Sequence, residues 1–153
     1  MYAFRDPTLG PLDEIRQARL LVIPIADYDA RDGDGDHWSI LLLQRKSLEE
    51  PFRAFRLDSL NDRNKKCSNS FLSLLRKSKM CKHFIPKSSK LLHDFPSQTN
   101  GTDCGCFVCL AALHIAEVVR EGFSYDTTFV FPQTWDPVQF RLDLLQEALS
   151  TRR

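Results

Sequence analysis

The chain has 153 residues, with 21 Lys and Arg against 20 Asp and Glu for a formal net charge of +1, and is 42% hydrophobic and 27% charged. That length fits one domain able to bury about two thirds of its unfolded surface without disulfide staples. No apolar run is long enough to span a membrane, and the start, Met1 to Pro7, has no apolar signal region. Five cysteines (Cys67, Cys81, Cys104, Cys106 and Cys109) are an odd number, and three of them crowd one predicted helix. They argue against a disulfide framework and for a reducing compartment, cytoplasm or nucleus.

Segment 1–17 contains Pro7, Gly10 and Pro11 and shows little periodicity beyond a short turn of helix at Leu12 to Arg19. Leu20 to Ala26 is a β-branched apolar run of strand length, and Pro24 marks it as an edge strand, a bulge or a strand end. An acidic loop follows, five Asp from Asp27 to Asp36 against Arg31 alone. Counted from Asp27, its fifth position is Arg31 and its twelfth is Trp38, so it lacks the ligands of a calcium loop. His37 to Gln44 reads as a buried strand and Phe52 to Asp58 as a half-exposed one, joined by a charged turn into a hairpin. Such a hairpin brings His37 and Asp58 to the same end of the sheet, where a base and a carboxylate can meet. Each residue alone is as well explained by a structural role.

Phe71 to Lys79 is a short helix candidate, Lys82 to Lys90 a basic linker and Leu91 to Phe95 a brief strand. From Asn61 to Lys90 nine Lys and Arg stand against Asp62 alone, which is either a solvated face or a basic patch for an acidic partner. The polar, turn-prone run Asn100 to Asp103 then meets Cys104 and Gly105, and an unbroken apolar stretch begins. Cys104 is therefore expected at a helix N-terminus, where unpaired N–H groups and the helix dipole favour a thiolate. Taken by itself, Cys104 is equally well a small core residue. The helix is apolar nearly all round and is expected to be buried, ending at Glu121 and Gly122. Asp136 and Pro137 open a last, amphipathic helix to Leu149, with Phe140, Leu144, Leu145 and Ala148 on its apolar face.

Three stretches, His37 to Leu42, Leu57 to Ser59 and Gln98 to Cys109, resemble in form and order the ubiquitin-like-protein-specific cysteine proteases, the SUMO/sentrin-specific proteases and deneddylases. Phe140 to Leu145 is similar to the last helix of that family. The resemblance implies an α+β fold of papain-like type, a central helix carrying the Cys packed on a small antiparallel sheet. It makes Cys104 the nucleophile, His37 the general base, Asp58 the residue that orients the imidazole and Gln98 an oxyanion-hole donor. Trp38, Asn100, Gly101 and Gly105 would bind substrate, with Trp38 over a narrow channel admitting a Gly-Gly tail. The implied reaction is hydrolysis after the C-terminal Gly-Gly of a ubiquitin-like modifier, in deconjugation or precursor processing, without cofactor or metal. The neddylation modifier is preferred to SUMO because the chain lacks a long N-terminal region. The expected partners are the modifier and its conjugates, bound by a monomer that needs neither membrane nor nucleic acid. Family domains begin further upstream and carry a second Trp there, so the chain reads as a single protease domain, 1–153, shortened at its N-terminus.

Two other readings stay open. A shortened family member could bind its modifier without turning it over. Alternatively, Cys104, Cys106, Cys109 and His114 could form a zinc-binding interaction module, although no second CxxC pair completes a usual site.

Overall fold

The structure, a computed structural model, describes residues 11–27 and 37–151. The acidic residues 28–36 and segment 1–10 lie outside them. The elements run α1 (Pro11–Gln17), β1 (Leu20–Ala26), β2 (Trp38–Gln44), β3 (Arg53–Leu57), α2 (Lys65–Lys77), β4 (Lys90–Leu91), α3 (Cys104–Arg120) and α4 (Pro137–Ser150). The sheet order is β1-β2-β3-β4. β1, β2 and β3 are antiparallel, with Ala26 opposite Trp38 and Ile40 opposite Leu57, while the two residues of β4 join β3 in parallel. β1 is the edge strand that Pro24 requires, because an edge position spares a ladder donor.

β2 is the axis of the fold. Ile40 to Leu43 are each 0–1% exposed, as a continuous apolar run demands of a strand covered on both faces. Side chains alternate across the sheet, and the strand accordingly feeds two cores. Ile40 and Leu42 pack with Leu57, with Phe107, Ala111 and Ile115 of α3, and with Phe95, Phe129 and Phe131. Leu41 and Leu43 pack with Ile25, Phe52, Ala54, Leu72 of α2, Cys81 and Ile85. The central helix on a small sheet is thus as the sequence implied, with a parallel edge strand added.

Three expectations are corrected. α3 is not buried all round. Its buried residues are Cys104, Phe107, Ala111 and Ile115, a single stripe, while Leu113 is 55% exposed. An apolar residue is free to face solvent, so an apolar count overestimates burial. α2 starts six residues earlier than its Leu-rich part, because Asn64 turns inward at its start and Ser68 is buried beneath it. α4 forms over the expected residues, and Asp136 Oδ1 accepts from the Val138 and Gln139 amides at 3.0 and 2.9 Å. No residue of α4 is fully buried, however, and Leu145 and Leu149 are exposed. Its cap and Pro137, rather than packing, define where it begins.

Because β2 is covered on both faces, Leu41→Ala and Leu42→Ala should each lower stability by about 2–5 kcal/mol in urea unfolding. A sheet covered on one face would leave one of the two nearly silent.

Candidate active site

The β2–β3 pairing sets Asp58, one residue beyond Leu57, beside His37, one residue before Trp38. His37 Nε2 lies 2.7 Å from Asp58 Oδ1, and neither side chain is exposed. The carboxylate also accepts from the Leu60 amide at 2.9 Å and the Asn64 amide at 2.8 Å. Those two amides are delivered by a turn in which Asn61 and Asp62 have φ of 51° and 71°. Asn and Asp tolerate this left-handed region better than most residues. Arg56, 3% exposed, holds the turn through the Asp62 carboxylate and is itself anchored to Ser89 Oγ at 2.6 Å.

His37 is held on its backbone as well. Its amide donates to Asp27 Oδ1 at 2.6 Å, and Asn64 Nδ2 reaches the Ile25 and His37 carbonyls and Ser39 Oγ at 3.2, 3.3 and 3.0 Å. A carboxylate only accepts, so Nε2 carries the ring proton in neutral imidazole. Nδ1 is then the basic nitrogen. It is buried and has no hydrogen-bond partner among the described residues.

Cys104 opens α3 and is 6% exposed. The turn before it is tied to the dyad by a relay of polar side chains. Ser59, adjacent to Asp58, donates its hydroxyl to Gln98 Oε1 at 2.5 Å and accepts the Gln98 amide at 3.0 Å. Gln98 Nε2 donates to the Asn100 carbonyl at 2.5 Å. Asn100 Oδ1 accepts from the Thr102 and Asp103 amides, both at 3.0 Å, and its Nδ2 donates to Asp103 Oδ2 at 2.7 Å. Arg141 of α4 completes the relay, donating to Asp103 Oδ1 at 2.5 Å.

The structure therefore joins His37 to Asp58 directly, and Gln98 and the start of α3 to the same strand end through Ser59 and Asn100. The Cys104 sulfur makes no hydrogen bond to the imidazole. Trp38, adjacent to His37, is 45% exposed. Asn100, Gly101 and Gly105 are exposed, and a Cβ on either glycine would meet nothing within 4 Å among the described residues. Burial pushes the Cys106 thiol above its ordinary pKa, whereas Cys109 is exposed rather than buried as its helix led us to expect. His114 Nε2 is 2.8 Å from the Val130 carbonyl, and among the described residues no group of three His, Cys, Asp or Glu is placed to hold a metal. Reading the sequence missed Ser59, Asn64, Asp103 and Arg141 as parts of the site. Only Ser59 and Asp103 had a signal, their adjacency to Asp58 and Cys104.

The Arg141 guanidinium, and after it the Asn100 amide, hold the Asp103 carboxyl below its ordinary pKa. A carboxyl depressed in the folded state stabilises it above the ordinary carboxylate pKa and loses that contribution as pH falls through the lowered value. Carboxyl-carbon NMR should accordingly find the Asp103 midpoint below the ordinary carboxylate value, and Arg141→Ala should move that midpoint up.

Among curated proteins, none matches the chain. A protein-family match covers residues 12–142, and its description is the Ulp1 protease family, C-terminal catalytic domain. This is a family of cysteine peptidases acting on ubiquitin-like modifiers and their conjugates. With a buried His–Asp pair at one end of the sheet and a cysteine opening the central helix, matched over most of its length, the chain belongs to the Ulp1 protease family.

Proposed function

We propose that the chain is a thiol protease that hydrolyses the bond after the C-terminal Gly-Gly of a ubiquitin-like modifier, SUMO or the neddylation modifier. The observation that carries this reading is the imidazole of His37, whose Nε2 is committed to Asp58 and whose Nδ1 is left without a partner. A base so oriented has one nitrogen available for a thiol proton. Cys104 gives its proton to Nδ1 and its sulfur attacks the glycine carbonyl. The amide N–H bonds at the start of α3 and Gln98 Nε2 receive the oxyanion. The C–N bond then breaks as the imidazolium returns the proton to the departing amine, leaving a thioester. Water, deprotonated by Nδ1, releases the modifier carboxylate and restores the thiol. The exposed indole of Trp38, the exposed position of Asn100 and the open Cβ positions of Gly101 and Gly105 support a binding site for a tail without side chains. Five free cysteines agree with action in the cytoplasm or nucleus.

A second reading, a binder without turnover, draws on the missing hydrogen bond between Cys104 and His37. Modifiers carrying C-terminal electrophiles separate the two. A protease forms a covalent adduct that Cys104→Ser abolishes, whereas a binder retains the modifier without one. Gln98→Ala should lower turnover by about 10²–10³-fold through loss of one oxyanion donor.

Alkylation distinguishes the thiols independently of any modifier. His37→Ala should slow labelling of Cys104 while leaving the exposed Cys109 unchanged, as read by mass spectrometry. Equal slowing at both would exclude His37 as the base of Cys104.

A further inference from the structure

The face of α2 turned away from the Leu72 core forms an open groove of about 920 Å³ whose lining includes Arg63, Lys65, Lys66, Ser73, Leu74 and Lys77. Among the described residues, no acidic side chain lines it. Lys65, Lys66 and Lys77 are exposed and make no ion pair among the described residues, so their charges are not spent inside the fold. Positions 66, 70, 74 and 77 follow one another at helical spacing, with 65, 69 and 73 in the adjacent row, so the charges lie along one stripe. Between Lys65 and Lys77 that stripe is about 18 Å long. Leu74 stands between the cations with 58% of its surface exposed.

From this surface we infer that the α2 groove is a docking site for an extended acidic segment of a partner protein, with an apolar side chain between its carboxylates. About six extended residues cover the stripe. Cations at both ends with an apolar step between them complement an acidic–hydrophobic peptide. Nucleic acid fits less well. Among the described residues the lining holds no aromatic residue on which a base could stack, and the chain has a pI of about 7.7. The inference is independent of the proposed reaction, because it concerns binding at a face that contains none of the residues assigned to catalysis.

The test is fluorescence anisotropy of the full chain with a labelled eight-residue peptide alternating Glu and Leu, at fixed physiological salt. Lys66→Glu combined with Lys77→Glu should weaken binding by about ten-fold or more, and Leu74→Ser by a few-fold. The same charge change at Lys79 and Lys87, exposed residues outside the groove, should leave binding within about two-fold. The Gln pair at Lys66 and Lys77 gives a milder substitution should the Glu pair unfold in a thermal melt, and it should still weaken binding. No saturable binding by the wild-type chain, equal weakening by the outside pair, or tighter binding of a single-stranded RNA or DNA duplex of equal charge would each overturn the inference.

Discussion

A carboxylate wholly removed from water must be surrounded by donors, because desolvation otherwise drives it to take up a proton or unfolds its surroundings. Asp58 meets that demand with three donors from separate parts of the chain: the His37 ring before β2, and the Leu60 and Asn64 amides beyond β3. Each donor fixes a different piece of structure. The ring bond selects the imidazole tautomer, the Leu60 bond tightens the chain as it leaves the sheet, and the Asn64 bond sets where α2 starts. The left-handed conformations of Asn61 and Asp62 are tolerated because the turn closes on this carboxylate and is braced from behind by Arg56. Asp58 therefore organises the end of the sheet as well as one imidazole.

Asn64 shows how closely site and fold share residues. It occupies the N-cap position of α2 yet gives its side chain no capping role, turning it instead into the gap between β1 and β2. The helix gives up a local hydrogen bond commonly worth about 1 kcal/mol, and the His37 carbonyl gains a buried partner. On the other side of the site, Ser59, Gln98, Asn100, Asp103 and Arg141 form a continuous polar connection from β3 to α4. Polar groups linked in this way support one another when every member is satisfied. The loop between β4 and α3, which has no ladder of its own, is positioned by that connection.

The parts legible in the sequence were those with a local cause. β1 and β2 came from apolar runs of strand length, β3 from the alternation of its residues, the start of α3 from a polar turn meeting an apolar stretch, and the meeting of His37 and Asp58 from the geometry of a hairpin. What escaped was decided by distant partners. Arg45 is 1% exposed because the Ala18 and Leu48 carbonyls accept from its guanidinium and Phe52 lies beneath it. No local pattern separates such an arginine from a solvated one. The exposure of Leu113 and of the apolar side of α4 escaped for the complementary reason: periodicity shows which residues share a face, but not whether anything covers that face.

Gly105 and Gly122 stand at opposite ends of α3 under different constraints. Gly122, at φ 98°, supplies the left-handed residue that ends the helix, donating its amide to the Val119 carbonyl. Gly105 lies in the first turn, has no positive φ, and has empty space where a Cβ would point. Nothing within the fold requires glycine there, and alanine would make a firmer helix by roughly 0.5–1 kcal/mol. The first turn beside Cys104 is thus looser than its surroundings demand, and it leaves a patch of backbone bare at the mouth of the helix.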